Sequence, residues 1–543
     1  MGASPRTARV SRGRFYGKKG KVMFIKVLLL AIFFGVTVAI GLYCRKHASD
    51  VNSFVLGGRS IGPWLTAFAY GTSYFSAVVF VGYAGQFGWR YGISATWIGL
   101  GNAFIGSLLA WVVLGRRTRV MTRHLNSATM PEFFGARYGS QGLKVVSSAI
   151  IFIFLIPYTA SLYNGLSRLF AMAFDLDFWV CIVIMALLTG VYVIVGGYVA
   201  TAVNDFVQGV IMLAGIIAVI FAVLNANGGL MGSLEKLAFV EDAAVSSTPG
   251  IFASFFGPDP LNMLGVVILT SLCTWGLPQM LQKFYAIKSE KAVHKGTVIS
   301  TVFALVIAGG CYFLGGFGRL FADKIEVRAD GSVIFDSIIP TMMSGFSDLL
   351  IGVVVMLVLA ASMSTLSALV MASASTLTLD FLKGNVIKKM DDKKQLFIIR
   401  SLIVVFVVIS AAIAVLQYNK NVVFIAQLMG VSWGALAGSF LAPFLFGLYW
   451  KRTSKFAVWC GMGFGTLFMT ANFLTNVNIL PAALFPVILR SPVNAGAFAM
   501  LAGMLIVPVV SLLSQAPDKK LIDDCFSCYD EKVTVALKES LGD

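Results

Sequence analysis

The chain has 543 residues, of which 58% are hydrophobic and only 12% are charged, and its mean hydropathy is +0.85. A typical soluble domain is about 45–50% apolar and about 25% charged. The composition therefore excludes a soluble enzyme, a disordered protein and a fibrous repeat. Since a membrane helix needs about 20 apolar residues, the length accommodates roughly a dozen spans joined by short loops.

Thirteen apolar segments, separated by charges or by clusters of Gly and Pro, predict transmembrane helices. None of them shows the alternation of apolar and polar residues that is typical of a barrel strand. The sequence therefore predicts an all-α polytopic membrane protein. The predicted spans are residues 22–43, 61–84, 94–115, 143–174, 178–195, 201–224, 261–283, 296–318, 349–379, 400–417, 422–450, 455–475 and 494–514.

The net charge of +17 is concentrated in alternate loops. The loops on one side carry 26 of the 42 Lys and Arg residues, whereas the loops on the other side carry seven. Because basic residues mark cytoplasmic loops, this asymmetry orients the protein in the cell membrane and needs no nucleic acid to explain it. The basic set comprises residues 44–60, 115–144, 283–295, 380–400, 451–455 and the tail 515–543, which we therefore expect in the cytoplasm.

The N-terminus does not follow this pattern. Because the tail is expected in the cytoplasm, an odd number of spans places residues 1–21 on the outer side. These residues nevertheless form a strongly basic leader. Either the charges of later loops override the leader, or Met23 is the true start and the leader is absent from the mature protein. The sequence leaves both alternatives open.

Two predicted spans are interrupted in mid-membrane. The first contains Gly71 within Ala-Tyr-Gly-Thr-Ser, and the second contains Gly276 and Pro278 within Trp-Gly-Leu-Pro-Gln. Gly and Pro weaken or break a helix. Backbone groups freed in this way cannot face lipid, so they must line a cavity or bind something.

Each interrupted span begins a run of five helices, the first over residues 61–224 and the second over residues 261–450. The two runs have opposite topology. Inverted five-helix repeats with a broken first helix are typical of secondary transporters with a site near the midplane. An extra helix, residues 22–43, precedes the repeats, and two further helices within residues 455–514 follow them.

Ser364 and Thr365 are adjacent hydroxyl residues in the middle of a predicted span, and Ala361 lies one turn earlier. A hard cation such as Na⁺ prefers oxygen ligands, which hydroxyls and free carbonyls supply. The same residues are equally typical of close helix packing. Asp205 is the acidic residue deepest in a predicted span, and we interpret it as part of ion coupling rather than as a structural hydrogen-bond hub.

An ordered set of motifs resembles the sodium/solute symporter family over roughly residues 54–455. The motifs are Leu56-Gly57-Gly58-Arg59-Ser60, Pro131-Glu132-Phe133 with Arg137-Tyr138-Gly139, Gly196-Gly197-Tyr198 with Asn204-Asp205 and Gln208, Ala360-Ala361-Ser362-Met363-Ser364-Thr365 through Asp380, and Gly447-Leu448-Tyr449-Trp450-Lys451. Two further stretches, Gly276-Leu277-Pro278-Gln279 and Lys291-Ala292-Val293-His294-Lys295-Gly296, resemble its pantothenate and proline branches.

The resemblance implies a LeuT-type fold with about 13 transmembrane helices, and a sodium-coupled symporter rather than an enzyme. It implies that Na⁺ is the coupling ion, held by the backbone oxygens of Thr72, Phe75 and Ala361 and by the hydroxyls of Ser364 and Thr365.

Some relatives bind a second sodium through an Asp like Asp205 and two further serines. Here Ser367 is present, but the next position is Ala368. Asp205 and Ser367 are therefore candidate ligands of a second Na⁺ with an incomplete set of oxygens.

The resemblance also bears on the solute. Val78 and Val79 stand where sugar-carrying relatives have polar residues, and the branch implies import of a small carboxylate-bearing solute such as pantothenate or proline. Each aromatic candidate is equally explained by helix packing. The candidate substrate-binding residues are Tyr74, Ser76, Tyr158, Trp275, Gln279 and Gln427.

The competing interpretation is a transporter-like sensor or a channel without coupled solute flux. A sensor usually carries a signalling domain, which a tail of 29 residues is too short to form, and no charged ring for a channel constriction is evident. The three histidines, His47, His124 and His294, lie in basic loops without an acidic partner in the sequence, so no catalytic group is evident. Cys525 and Cys528 form a CxxC that we interpret as a chance pair rather than a zinc or redox site. The oligomeric state stays open.

The charge pattern makes the orientation testable. We expect a reporter fused after residue 515 to report the cytoplasm, because the basic loops lie on that side. A fusion within residues 225–260, in a loop of the opposite set, should report the outer side and serves as the matched control. An outer-side signal from the fusion after residue 515 would contradict the thirteen-span topology.

Overall fold

The computed structural model describes residues 9–47, 50–174, 177–328, 331–420 and 425–529. Within these ranges the chain is a bundle of α-helices with short 3₁₀ and π-helical stretches and no β-sheet, as the all-α class requires. The π-helical stretches are Val78–Tyr83, Asn102–Leu109, Trp111–Gly115, Leu305–Gly309 and Leu377–Leu382. The α-helices are α1 (Arg9–Cys44), α2 (Val51–Leu56), α3 (Pro63–Tyr74), α4 (Ala84–Tyr91), α5 (Thr96–Gly101), α6 (Arg116–His124), α7 (Met130–Arg137), α8 (Gln141–Phe174), α9 (Phe178–Ala226), α10 (Gly229–Ala238), α11 (Pro260–Leu272), α12 (Pro278–Ala286), α13 (Glu290–Ala304), α14 (Gly310–Gly315), α15 (Ile338–Met343), α16 (Asp348–Thr376), α17 (Asp392–Lys420), α18 (Ile425–Tyr449), α19 (Lys455–Asn476), α20 (Val487–Arg490), α21 (Pro492–Leu513) and α22 (Lys519–Ser527).

Ten helices in the described part of the chain are long and apolar enough to cross a membrane, or eleven if the bent pair α11 and α12 is one span. This count does not confirm the thirteen predicted spans. Two of them, residues 178–195 and 201–224, lie in α9 on either side of a kink at Gly197, and the first is among the shorter apolar helices, Trp179–Val191. Gly197 has a φ of 59°, and a Cβ there would press on Phe54, so glycine is required at this turn.

Loops of the predicted basic set meet on one face of the bundle, which we call the basic face. Arg116 pairs with Glu290 at 2.5 Å, and Lys144 pairs with Asp380 at 3.3 Å. On the opposite face Arg319 pairs with Asp242 at 2.9 Å. Each of these ion pairs joins loops of the same predicted set.

The first predicted interruption exists, but it lies beyond Gly71. Helix α3 runs through Gly71 to Tyr74, and the chain becomes extended at Phe75, with φ −91° and ψ 118°. The prediction that Gly71 breaks the helix was therefore wrong. Gly71 instead allows close packing, because a Cβ there would collide with the ring of Phe303.

The second interruption lies where the sequence predicts it. Helix α11 ends at Leu272, a 3₁₀ turn covers Cys273–Trp275, and α12 begins at Pro278 after a bend of 41°. Leu277 is extended, and Pro278 occupies the first turn of α12, where its missing N–H costs nothing.

The two interrupted helices are joined to each other at the basic face. The Ile61 N–H, just before α3, donates to the Ala286 carbonyl at 3.2 Å, and the Lys288 N–H donates to the Ile61 carbonyl at 2.9 Å. The corresponding helices of the two halves therefore meet at one end.

The tail folds back as α22 and packs on the basic face. The Arg137 guanidinium lies 5.1 Å from the centre of the Phe526 ring, and Cys525 and Cys528 are buried beneath the helix. His124 Nε2 lies 3.7 Å from Asp524, so the expectation that His124 lacks an acidic partner was wrong. Sequence distance hid this pair, because the partner arrives only when the tail folds back.

Because the tail is docked, we expect its Cys525 thiol to react slowly with maleimide. Burial raises the pKa of the Cys525 thiol, and only the thiolate reacts readily with maleimide. Phe526→Ala should speed maleimide labelling of Cys525 by about tenfold, which corresponds to about 1.4 kcal/mol of lost docking free energy. Labelling of individual cysteines is measured by peptide mass spectrometry.

The control for this experiment is Leu513→Ala, since Leu513 is exposed at the end of α21. It should leave the labelling rate of Cys525 unchanged. Fast labelling of Cys525 in the unmutated protein would contradict the docked position of α22.

Candidate sodium and solute site

Five oxygen atoms converge between the end of α3 and the middle of α16, and we call this set the oxygen cage. The Ser364 hydroxyl lies 3.1 Å from the Thr72 carbonyl and 3.0 Å from the Ala361 carbonyl. The Thr365 hydroxyl lies 3.1 Å from the Thr72 carbonyl, 3.3 Å from the Phe75 carbonyl and 3.0 Å from the Ala361 carbonyl. The structure therefore brings together all five residues that the resemblance implied as sodium ligands.

The local sequence explains why these carbonyls are available. The last carbonyls of a helix have no partner within it, and α3 stops at Tyr74, so the Thr72 carbonyl lies in that last turn. Phe75 lies in the extended segment that follows. Neither oxygen can face lipid without a partner, and both point to the hydroxyls of α16.

Few donors reach the oxygens of the cage. The Ala361 carbonyl lies inside α16, where it accepts the Thr365 N–H, and the two hydroxyls have one proton each to share among the three carbonyls. All five residues are buried, with at most 2% of their surface exposed, so bulk water does not supply further donors. A small cation would satisfy every oxygen together.

The size of the oxygen cage suits such an ion. Ca²⁺, whose ionic radius is close to that of Na⁺, takes oxygens at about 2.3–2.6 Å, which sets neighbouring oxygens of an octahedral shell about 3.3–3.7 Å apart. The hydroxyl-to-carbonyl distances of 3.0–3.3 Å are slightly shorter. A shift of a few tenths of an ångström opens the set to a monovalent cation.

Four aromatic residues form a second feature beside the oxygen cage, the Trp433 cluster. The Trp433 ring stacks on Tyr74 at 5.4 Å and meets the edges of Tyr158 at 5.7 Å and Tyr83 at 5.9 Å. The indole N–H of Trp433 and the hydroxyls of Tyr158 and Ser76 are buried, and none makes a hydrogen bond of good geometry in the described chain. The Tyr158 hydroxyl lies close enough to Trp433 and Ser76 to interact with both. Buried polar groups normally have well-formed partners, so these three are candidates for solute contacts.

Trp433 and Tyr83 were missed by the sequence analysis. Both lie in long apolar runs, where an aromatic residue is indistinguishable from an ordinary packing residue. Their role depends on α18 and the segment Val78–Tyr83 meeting around Tyr74 and Tyr158, and no local pattern encodes that meeting.

The remaining predicted substrate residues lie in three different places. Trp275 donates its indole N–H to the Ile105 carbonyl at 3.0 Å and so packs against the Asn102–Leu109 stretch. Gln279 is fully buried in α12, and its amide has no partner in the described chain. Gln427 lines a cavity of about 450 Å³ on the face opposite the basic loops, together with Gln86 and Arg90.

The two residues named for a second Na⁺ make other contacts. Asp205, in α9, has its nearest cation in Lys283 of α12, with Nζ 3.8 Å from Oδ2. The Ser367 hydroxyl donates to the Ser364 carbonyl at 2.8 Å. Lys283 as a partner of Asp205 was not foreseen, since the sequence assigned it to a cytoplasmic loop.

Comparison with known proteins agrees with this geometry. The sequence model of the sodium:solute symporter family matches residues 54–465. The chain is 31% identical, over 453 residues, to the sodium/proline symporters of Staphylococcus aureus strains JH9 and NCTC 8325, covering 81% of this chain and 84% of each relative.

Solved structures show the same fold at low sequence identity. A Na⁺-coupled sialic acid symporter in a substrate-bound outward-open state superposes with a TM-score of 0.69 at 14% identity, covering 91% of this chain and 98% of the other. Mhp1 in an inward-facing conformation gives a TM-score of 0.51 at 13% identity, covering 86% and 94%.

The chain belongs to the sodium:solute symporter family. Its fold is the LeuT-type fold that the resemblance implied. It is accordingly a multi-pass membrane transporter that uses Na⁺ as its coupling ion, and not an enzyme.

The oxygen cage predicts how hydroxyl deletions act. Ser364→Ala and Thr365→Ala each remove a side-chain oxygen while its carbonyl partners stay buried. An unmet buried polar group costs about 1–3 kcal/mol, so the apparent Na⁺ affinity should fall by roughly tenfold or more, at about 1.4 kcal/mol per tenfold. The measurement is the Na⁺ activation curve of solute uptake.

Thr72→Ala is the matched comparison, because the Thr72 hydroxyl donates to the Phe68 carbonyl at 2.9 Å within its own helix. This change keeps the carbonyl in the oxygen cage and should be far milder. If both α16 variants keep the wild-type Na⁺ activation curve, their hydroxyls serve packing alone.

Proposed function

We propose that this protein imports proline together with Na⁺ across the cell membrane by alternating access, with its tail in the cytoplasm. The named relatives, sodium/proline symporters that share 31% identity over most of the chain, support proline as the solute. The oxygen cage is the proposed site of the coupling ion.

The chemistry of the Trp433 cluster supports a small amino acid of this kind. The rings of the Trp433 cluster offer an apolar wall for a saturated ring, and an ammonium group is attracted to aromatic faces. The buried donors of Ser76, Tyr158 and Trp433 suit a carboxylate, because hydrogen bonds to a charged acceptor are stronger than those the three groups make with one another. Ser76, Tyr74 and Tyr158 belong to the candidate substrate set that the sequence provides.

One observation carries the coupling argument, namely the position of the break in α3. Phe75 supplies its carbonyl to the oxygen cage, and the next residue, Ser76, places its hydroxyl beside Tyr158 of the Trp433 cluster. An ion that orders this extended segment also orders the solute contacts. Linkage then requires that the solute raise Na⁺ affinity by the same factor.

The 450 Å³ cavity is the proposed entry route from outside. Phe87 lines it, and the Phe87 ring contacts Tyr83 of the Trp433 cluster at 5.1 Å. Gln427 therefore belongs to the route, and we propose that it meets the solute before the solute reaches Trp433.

The deciding experiment is uptake of radiolabelled proline into proteoliposomes that contain the purified protein. An inward Na⁺ gradient should drive accumulation above the external concentration, and replacing Na⁺ with K⁺ should abolish it. Excess unlabelled pantothenate should leave proline uptake intact. Proline flux that ignores the Na⁺ gradient would instead favour a channel, and inhibition by pantothenate would move the assignment to that solute.

The solute pocket predicts a specific effect at Tyr158. Tyr158→Phe keeps the ring against Trp433 and removes one donor, which is worth about 1.5–3 kcal/mol towards a charged group. The KM for proline should rise by roughly tenfold or more, at about 1.4 kcal/mol per tenfold, while the Na⁺ activation curve at saturating proline stays unchanged.

Tyr163→Phe is the matched control, since Tyr163 lies on the same helix, is equally buried and also has an unpartnered hydroxyl. It lies outside the Trp433 cluster, so the KM for proline should not change. Equal effects of the two variants would indicate general packing damage instead of a lost solute contact.

A further inference from the structure

A buried pair of opposite charges joins the two halves of the protein. Lys283 Nζ lies 3.8 Å from Asp205 Oδ2, and both side chains are at most 2% exposed. The Lys283 ammonium also lies 5.1 Å from the centre of the Tyr198 ring. Asp205 belongs to α9 of the first half, and Lys283 belongs to α12, the half-helix that follows the second break.

Each of these charges depends on the other. An ionised group inside a membrane protein requires a partner, and removing one member of a buried pair leaves the other uncompensated. Neither oxygen of Asp205 has a hydrogen-bond partner other than Lys283 within the described chain. The ammonium of Lys283 is thus the group that balances the Asp205 charge.

The surroundings of Asp205 differ from the oxygen cage. Three carbonyls and two hydroxyls meet in the oxygen cage, whereas Asp205 already faces a full positive charge. The Ser367 hydroxyl donates to the Ser364 carbonyl, and Ala368 has no hydroxyl to contribute. A Na⁺ beside Asp205 would have to displace Lys283 from the carboxylate or share the carboxylate with it. Either arrangement is opposed by the repulsion between the two positive charges.

We infer that Lys283 is a built-in cation that takes the place of a second Na⁺ at Asp205. Only the oxygen cage then binds Na⁺, and one Na⁺ accompanies each solute molecule. Because Lys283 is carried by α12, the pair also holds this half-helix against α9. The inference rests on the proposed sodium-coupled import. It attributes the number of Na⁺ ions carried per solute molecule to Lys283.

The test replaces the ammonium without changing the length of the side chain greatly. Lys283→Met leaves Asp205 unpaired, together with the free amide of Gln208 three residues further along α9. These oxygens become available to a second Na⁺. In proteoliposomes the Hill coefficient for Na⁺ should rise from about 1 in the wild type towards about 2 in the variant, and the coupling ratio from reversal potentials should rise in parallel.

Two further variants keep the experiment decisive. Asp205→Asn combined with Lys283→Met removes both charges, so it should restore hyperbolic Na⁺ activation and transport faster than Lys283→Met alone. Lys283→Arg preserves the positive charge and should remain hyperbolic. Lys236→Met, an exposed position in α10, is the matched control for loss of a lysine and should behave as the wild type.

Each outcome decides the matter. Two Na⁺ per proline in the wild type, or unchanged hyperbolic activation in Lys283→Met, overturns the inference. If Lys283→Met fails to fold, a double variant that folds and transports supports the pairing of Lys283 with Asp205, whereas failure of both variants to fold overturns the inference.

If the wild type does not transport proline, the proposed solute is wrong. The inference is then tested without a solute, by using titration calorimetry to count the Na⁺ ions bound per purified protein. One Na⁺ in the wild type and two in Lys283→Met then support the inference, and equal numbers overturn it.

Discussion

A helix that stops inside a membrane protein leaves carbonyl oxygens that neither lipid nor water can satisfy, and the rest of this structure depends on how they are met. Helix α3 stops at Tyr74, and the carbonyls of Thr72 and Phe75 turn towards two hydroxyls on α16. The two hydroxyl protons are shared among the carbonyls of Thr72, Phe75 and Ala361, the last of which also accepts a backbone N–H within α16. This cluster of buried oxygens without formal charge suits a monovalent cation.

The same short segment connects the ion to the solute. Phe75 and Ser76 are neighbours in an extended stretch, so an ion that fixes one restricts the other. Coupling between the two ligands therefore needs no long pathway.

Two contacts join the halves of the protein. At the basic face, the backbone bridge between Ile61 and residues 286–288 joins the two interrupted helices, and the pair of Asp205 and Lys283 joins the same two halves within the membrane. Movement of α12 must alter both contacts.

Glycine has two meanings in this chain, and the difference explains where the sequence analysis succeeded. Gly276, next to Pro278, marks a true break. Gly71 lies inside a regular helix and makes room for Phe303, as Gly88 makes room for the backbone of Gly315 where α4 crosses α14. Small residues at membrane helix contacts are common. The proline two residues after Gly276 therefore distinguishes this break from Gly71, whereas Gly197 kinks α9 through its positive φ and has no proline near it.

The sequence by itself determined the membrane class, the alternation of basic loops, the second break and the five residues of the oxygen cage. Hydropathy, charge and motifs are properties of short segments, so a linear reading captures them. The tertiary structure alone decided that α3 ends at Tyr74, that Trp433 joins Tyr74 and Tyr158, that His124 meets Asp524, and that Lys283 pairs with Asp205. Each of these depends on which distant segments pack together, and the Ser364 hydroxyl and the Thr72 carbonyl are 292 residues apart in sequence. Only the packing of the whole bundle sets such distances.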